Sequence, residues 1–311
     1  MTPAARGSLV GNRATALRWA GLLRQLGHRP RLVGAWRDGP CDLLVAVHAI
    51  KSADAVLRAR RARPDLPIVT LLSGTDIYPE LPADATARAA LRAADALIAL
   101  QPRATAALPA ELRARAHTIV QSATAAPPTP RAGGFALCLL AHLRPVKAPL
   151  LAVRAVAALP REVDVTLTLA GDRLDERYSE RVLAEVAQEP RAAWVGRLSR
   201  GAAKQLIARS AACLVPSAAE GGANVVSEAI AARTPVLCSD VPGNLGLLGA
   251  DWPGTFREGD VASCAELLRR AAAEPGFVDD LRARTVAMQP MVSPAAERAA
   301  WQRLLAALRP R

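Results

Sequence analysis

The chain has 311 residues, enough for two ordinary domains, and 51% of them are hydrophobic, enough to form buried cores. The formal net charge is +12, but the basic residues are dispersed among alanines and only 3% of residues are aromatic. This composition disfavours a nucleic-acid partner and suits a phosphorylated substrate. No apolar run has the length of a membrane span and no secretory signal is visible, so we expect a cytoplasmic protein without stable membrane insertion.

Short apolar runs alternate with amphipathic segments along the chain, which is the pattern of a parallel sheet covered by helices. The sequence therefore predicts an α/β protein. The predicted strands are residues 43–47, 68–72, 96–100, 118–120, 135–140, 165–170, 212–215 and 235–238. The predicted helices are residues 14–26, 150–159, 179–188, 225–232 and 294–308.

A break in the pattern predicts a domain boundary near the middle of the chain. Residues 123–134 contain three prolines followed by Gly133 and Gly134, without apolar periodicity. We place an N-terminal domain at residues 1–128 and a C-terminal domain at residues 132–290. The five cysteines are scattered and lack a C-x-x-C pair, which favours buried thiols and no metal site.

The stretch 214–232 carries the strongest functional signal. It predicts a strand, a turn at Gly221 and Gly222 that lets backbone approach a ligand, and a helix whose first amides can bind phosphate. Glu220 lies at the carboxyl edge of the sheet, where it could act in catalysis, and Glu228 could reach two ribose hydroxyls. The alternative is an ordinary strand–loop–helix with two solvated glutamates. The predicted donor-binding residues here are Ser217, Gly221, Gly222, Ala223, Asn224, Val225, Val226 and Glu228.

Two cationic side chains follow the predicted strand 135–140. Arg144 can bind phosphate oxygens with its forked guanidinium, and Lys147 adds a point charge three residues later. Together they could stabilise a diphosphate leaving group, which makes both candidate catalytic residues. Taken alone, they would be read as surface charges of a connecting loop.

Polar residues also follow the strands of the N-terminal half. His48 comes directly after strand 43–47 and is the histidine best placed to act as a base or a phosphate contact, although a structural role is the usual one for a lone histidine. Asp76 follows strand 68–72 and could equally cap a short helix. A glycine-containing loop precedes the first helix and could face a donor. The residues predicted from that loop are Gly7, Ser8, Gly11 and Asn12.

The segment 137–248 resembles the retaining GT-B glycosyltransferases of family 4. Arg144 and Lys147 match their diphosphate clamp, and residues 194–198 look like the loop that holds the donor base, here through Arg197 and Leu198. Glu220 and Glu228 match their Glu-x7-Glu motif. The resemblance implies two Rossmann-like domains facing each other across a cleft, a reaction without metal or cofactor, and a final helix, residues 294–311, that completes the first domain.

Nearly the whole chain also resembles the selenosugar synthase family of selenoneine biosynthesis. The similarity is carried by residues 7–20, 47–52, 73–78, 100–102 and 120–123. It implies a UDP-sugar donor, with N-acetylglucosamine as the sugar, and selenophosphate as the acceptor. The product would be a 1-seleno-sugar.

One departure concerns the first domain. Common family-4 enzymes carry a His-Gly-x-Asp motif, and Ser73 stands at the position of that histidine here. Selenophosphate needs cationic contacts more than a general base, and Arg6, Lys51 or Arg18 could supply them. The predicted acceptor-binding residues are Arg6, Lys51, Ser73, Thr75 and Asp76.

Other functions stay open at the level of sequence. The same fold could transfer sugar to an alcohol or a lipid, and a binding protein without catalysis could share it, because fold does not fix function. The sequence does not specify the oligomeric state, or whether the anomeric configuration is retained or inverted.

Overall fold

The computed structural model describes residues 1–3, 11–37, 39–78, 84–127 and 133–308, and at Thr75 it describes the backbone only. The chain divides into two compact units. The first contains residues 1–121, 220–222 and 294–311, and the second contains residues 122–219 and 223–293. Each unit has one parallel β-sheet, which confirms the predicted α/β class.

The first unit has a sheet of four parallel strands in the order β1-β2-β3-β4. Strands β2 and β3 are buried along their whole length, as strands of a parallel sheet covered on both faces should be. Met1 lies beside β1, where its amino group donates to the Val45 carbonyl and its own carbonyl accepts from the Val47 amide. The strands are β1 (Leu44–Val47), β2 (Ile68–Leu71), β3 (Ala96–Ala99) and β4 (Ala116–Thr118).

Helices pack on both faces of this sheet, because successive strand side chains point to opposite sides. Leu97 joins the apolar cluster that contains α2 and α4, whereas Ile98 joins the cluster that contains α1 and α14. The helices of this unit are α1 (Gly11–Gln25), α2 (Ala49–Ala62), α3 (Gly74–Ile77), α4 (Ala85–Ala93), α5 (Pro102–Ala106), α6 (Ala110–Arg113) and α14 (Pro294–Ala307).

Helices α1 and α14 are joined by a buried aromatic and polar contact. The rings of Trp19 and Trp301 meet edge to face with centroids 4.9 Å apart. The indole N–H of Trp19 donates to the carboxylate of Glu297 at 2.8 Å, and Arg18 Nε lies 3.3 Å from the same oxygen. This contact anchors the last helix on the sheet of the first unit.

The second unit has a sheet of six parallel strands in the order β10-β9-β8-β5-β6-β7. The strands are β5 (Phe135–Leu140), β6 (Val165–Ala170), β7 (Ala192–Trp194), β8 (Ala212–Val215), β9 (Val236–Ser239) and β10 (Thr255–Phe256). The helices are α7 (Pro149–Ala157), α8 (Glu176–Gln188), α9 (Arg200–Arg209), α10 (Asn224–Ala231), α11 (Pro242–Leu248), α12 (Val261–Ala273) and α13 (Pro275–Ala287), with 3-10 turns at Pro145–Lys147 and Gln289–Val292.

The strand order of the second unit reverses direction at β5. From this strand the chain builds outward through β6 and β7, and it then returns to build β8, β9 and β10 on the other side. Ligands of open α/β sheets bind where such a reversal leaves a crevice outside the carboxyl ends of the strands. A ligand site is therefore expected at the carboxyl ends of β5 and β8.

Most predicted elements are confirmed with small differences at their ends. Strands 135–140, 165–170 and 212–215 are found at the predicted residues, and the strand predicted at 118–120 lies two residues earlier. The predicted helix 179–188 begins earlier, at Glu176, because the Asp175 carboxylate accepts the Tyr178 amide and caps it. Strands β7 and β10 were not predicted, since two or three residues are too few to show a pattern.

Candidate active site

The loop after β5 carries the two predicted diphosphate cations. Arg144 is exposed and directly precedes the 3-10 turn Pro145–Lys147, and Lys147 is half-buried at the end of that turn. The amide of Ala218, in the loop after β8, donates to the carbonyl of Val146 at 2.9 Å. The two loops at the switch point of the sheet are therefore joined by a backbone hydrogen bond beside both cations.

The sequence assigned no role to His142, the second residue after β5, and the structure places it in the same loop. The backbone amide of Asp172 donates to its Nδ1 at 3.1 Å. An amide can only donate, so Nδ1 must be unprotonated and the ring proton lies on Nε2. Gly171 makes this packing possible, because a Cβ at that position would overlap the carbonyl of Ala141. In the sequence, only its position directly after a central strand indicated that His142 could belong to the site.

Helix α10 begins without a side-chain cap. Its N-cap is Ala223, and the helix spans Asn224–Ala231. The amides of the first turn, with the helix dipole, favour an anion at this end. One correction is needed to the prediction: the Val226 amide donates to the Ala223 carbonyl at 3.0 Å, so it is engaged within the turn. The Val226 amide is therefore removed from the predicted phosphate contacts.

The other predicted donor-binding residues of the second unit lie at the carboxyl edge of its sheet. Glu228 is half-buried one turn into α10, and Ser217 is buried after β8 with its carbonyl accepting from Ser239 Oγ. Arg197 is exposed and Leu198 is half-buried in the loop that follows β7. Strand β7 lies two strands from β5, on the far side of β6.

The segment Glu220–Gly222 groups with the first unit rather than with the residues on either side of it. Glu220 is buried, with 7% of its surface exposed. Gly221 lies against Gly74 so closely that a Cβ on either residue would overlap the other's backbone nitrogen. Both positions therefore require glycine because two backbones meet there.

In the first unit, His48 and Asp76 form a buried pair. His48 follows β1 and is the N-cap of α2, with φ 75° and ψ 102°, a region that side chains other than glycine rarely adopt. Its Nδ1 lies 2.8 Å from Asp76 Oδ1. The N–H direction of the ring does not meet hydrogen-bond geometry, so we describe this as a polar contact at hydrogen-bond distance. The two side chains join the turns at the carboxyl ends of β1 and β2.

Asp76 is fully buried, and its carboxylate is used by the protein itself. It accepts from the amides of Ala49 and Ile50 at 2.9 Å and from the amide of Ser73 at 2.7 Å. Burial alone would raise the pKa of Asp76, but the contact with His48 and the amide hydrogen bonds outweigh it and lower the pKa. The prediction that Asp76 binds the acceptor directly needs correction, because no part of this residue is exposed. Nor is it the N-cap of α3, which is Ser73.

The remaining predictions for the first unit have mixed outcomes. Lys51 is exposed in the first turn of α2, and Ser73 is half-buried after β2. Gly11 and Asn12 belong to helix α1 rather than to a loop. The side chain of Thr75 lies outside the described part of the structure, as do the residues Arg6, Gly7 and Ser8.

No group of three or more His, Cys, Asp or Glu side chains that could hold a metal ion is found in the described ranges. In the same part of the chain, no helix combines the length and the apolar character that crossing a bilayer requires.

The second unit thus places two cations and a helix start without a side-chain cap at the switch point of a parallel sheet, where α/β proteins commonly bind phosphate groups. The family model of glycosyl transferases group 1 matches residues 126–286, more than half of the chain. The protein therefore belongs to the glycosyl transferases group 1 family. A search of curated protein sequences finds no match.

Solved structures share the fold at low sequence identity. HepE from Anabaena in complex with UDP and glucose is 18% identical, with a TM-score of 0.71 over 86% of this chain and 78% of that one. Sucrose-phosphate synthase from Thermosynechococcus elongatus is 20% identical, with a TM-score of 0.71 over 86% and 74%. A UDP-forming trehalose-phosphate synthase from Burkholderia vietnamiensis is 15% identical, with a TM-score of 0.69 over 95% and 80%. These likenesses confirm the predicted GT-B fold class.

Proposed function

We propose that the protein transfers a sugar, N-acetylglucosamine, from a UDP-sugar to selenophosphate and so forms a carbon–selenium bond. One observation carries the transferase part of this proposal. The loop with Arg144 and Lys147 is hydrogen-bonded to the loop after β8, which leads to the uncapped start of α10. The choice of UDP is supported by fold relatives that hold UDP or are described as UDP-forming.

The second unit would bind the nucleotide. Arg144 and Lys147 would neutralise the diphosphate as negative charge develops on it, together with the amides of Asn224 and Val225. Glu228 would accept hydrogen bonds from the ribose hydroxyls, and the loop with Arg197 and Leu198 would hold the base. We further propose that Glu220 and the Gly221–Gly222 turn position the sugar.

The transfer step breaks one bond and forms one. A selenium lone pair of selenophosphate attacks the anomeric carbon, while the bond from that carbon to the diphosphate oxygen breaks and UDP leaves with the electron pair. The anomeric carbon passes through an oxocarbenium-like state, as in other glycosyl transfers. Water then cleaves the selenium–phosphorus bond and leaves the 1-seleno-sugar and phosphate.

The anionic acceptor is supported by the distribution of charge between the units. The first unit contains 21 lysine and arginine residues against 11 aspartate and glutamate residues, whereas the second contains 19 against 17. Net positive charge attracts anionic substrates. Lys51, exposed in the first turn of α2, is the described cation that we assign to the acceptor.

Incubation with UDP-sugars and selenophosphate, followed by mass spectrometry, tests the proposal. We expect UDP and a seleno-sugar as products, with UDP-N-acetylglucosamine the best donor. The substitution Arg144→Ala should weaken UDP binding by about 1.5–3 kcal/mol in calorimetry, the usual loss for a hydrogen bond to a charged group. Arg161→Ala is the matched control, because Arg161 is exposed ahead of β6, at the opposite edge of the sheet.

Other outcomes separate the alternatives. Sugar transfer to an alcohol or a lipid, with selenophosphate left unchanged, would identify a different acceptor on the same fold. UDP-sugar binding without any transfer would indicate a binding protein. Unchanged UDP affinity in Arg144→Ala would refute the assignment of the diphosphate site.

A further inference from the structure

The buried pair of His48 and Asp76 makes two unfavourable contributions to the folding free energy of the first unit. The side chains are 5% and 0% exposed, and removing a carboxylate and an imidazole from water is unfavourable unless their contacts compensate for it. The backbone of His48 adds strain, because φ is 75° at a residue that has a Cβ. Strain of this kind is concentrated at functional sites, where the surrounding structure maintains it. The pair lies at the carboxyl edge of the sheet, where ligands of such folds bind.

The contacts of Asp76 determine where the proton of the pair lies. Three backbone amides donate to its two oxygens, and amides cannot accept a hydrogen bond in return. Asp76 is therefore a carboxylate that only accepts. At 2.8 Å from it, His48 Nδ1 must carry a proton, since a nitrogen lone pair would repel the carboxylate. The second ring nitrogen, Nε2, is then the atom of His48 that can meet a ligand.

We propose that Asp76 is a positioning residue, which holds the ring of His48 with Nδ1 protonated, so that the lone pair of Nε2 accepts a hydrogen bond from a protonated oxygen of the acceptor. The carboxylate favours this tautomer through its contact with Nδ1. Asp76 acts only through His48 and through the start of α2, which its carboxylate caps. The assignment rests on the glycosyl transfer to an anionic acceptor proposed above.

Kinetics of Asp76→Asn and His48→Asn test this role. Each variant should lower kcat/KM for selenophosphate at least ~10-fold, while KM for the UDP-sugar stays within about twofold of wild type, because the nucleotide of the donor is assigned to the second unit. In the double variant, Asp76→Asn should add little to the loss already caused by His48→Asn. Asp84→Asn is the control, since Asp84 caps α4 with two amide hydrogen bonds and contacts no histidine among the described residues.

Nuclear magnetic resonance measures which ring nitrogen of His48 carries the proton. A loss of folding stability alone would not change this property. The chain has four histidines, so long-range ¹H–¹⁵N spectra of ¹⁵N-histidine protein are simple, and His48→Asn identifies the His48 signals. Wild type should show a protonated Nδ1 at His48, and Asp76→Asn should shift that ring towards the other tautomer. The wild-type spectrum needs no substitution at Asp76, so it remains decisive if Asp76→Asn does not fold.

The outcomes separate this inference from the proposed function. An unprotonated Nδ1 at His48 in wild type would overturn it, as would equal and additive losses from the two single variants. A wild-type protein that transfers no sugar to selenophosphate would refute the proposed function, whatever the tautomer of His48. Transfer at wild-type rates in Asp76→Asn would refute the positioning role alone.

Discussion

The carboxylate of Asp76 should make the stability of the first unit depend on pH. Its pKa is lowered in the folded state, so it contributes stability above the unfolded value of about 3.9, and that contribution is lost as the pH falls through the folded pKa. We expect Asp76→Asn to lower the free energy of unfolding by about 1–3 kcal/mol at pH 7. The difference from wild type should shrink towards pH 3.

Urea unfolding at pH 7 and pH 3 measures this difference, with hydrogen exchange of the helix α2 amides as the probe. This probe reports on the unit that contains Asp76. Asp84→Asn again serves as the control, because it removes a helix cap that is exposed to solvent. A destabilisation of the same size at both pH values would show that the charge of Asp76 is not what stabilises the fold.

At the scale of single residues, the sequence could indicate which side chains follow strands but not how they are used. His48 was predicted as a candidate from its position after β1. Its contact with Asp76 was not predictable, because the two residues are 28 positions apart and meet only when β1 and β2 pair. Asp76 was interpreted as an acceptor contact because a sequence does not show whether a carboxylate is buried or exposed.

At the scale of elements, Gly171 is the residue that lets the loops after β5 and β6 approach each other. A Cβ at this position would overlap the carbonyl of Ala141, so Gly171→Ala should force the backbone around His142 to shift. Overpacking of this kind costs about 1–3 kcal/mol. We expect UDP affinity, measured by calorimetry, to fall about 10-fold, because the loop with Arg144 starts at this contact.

Gly201→Ala provides the matched control for this prediction. Gly201 lies in helix α9, and a Cβ added there meets no atom within 4 Å. Alanine at a helical position should be neutral or slightly stabilising. A loss of UDP affinity in both variants, or in neither, would contradict the role given to the β5–β6 contact.

Long apolar strands were easier to predict than the short elements that complete the candidate site. Strands β5 and β8 were found from their apolar runs, because a strand covered on both faces needs nearly continuous hydrophobicity, and β6 was found although two threonines interrupt its apolar residues. The turn Pro145–Lys147 and strand β7 have no such pattern, yet they position Lys147 and the loop with Arg197. Their geometry depends on hydrogen bonds to neighbouring loops, which a linear pattern does not contain.

At the scale of the whole molecule, the α/β class followed from the alternation of strands and helices. The strand order did not, because periodicity gives the elements and not their neighbours. The reversal at β5, beside which the proposed nucleotide site lies, is visible only in the sheet. The net charge of +12 was likewise known from composition, but its concentration on one unit required the division of the chain.

That concentration of charge predicts a different salt dependence for the two substrates. Between about 0.05 and 0.3 M salt the Debye length falls from about 14 to about 6 Å, which removes long-range attraction but leaves close contacts. The acceptor is assigned to the strongly basic first unit, so KM for selenophosphate should rise several-fold, while KM for the UDP-sugar rises less than about twofold. Steady-state kinetics at several salt concentrations measure both.

Charge reversal tests whether the first unit causes this effect. Arg58 and Arg61 are exposed on helix α2, and replacing both with glutamate should flatten the salt dependence of KM for selenophosphate. Replacing Arg161 and Arg181, which are exposed in the second unit, should leave that salt dependence nearly unchanged. Equal effects of the two pairs would mean that the acceptor responds to the total charge, and the assignment of the acceptor to the first unit would lose its electrostatic support.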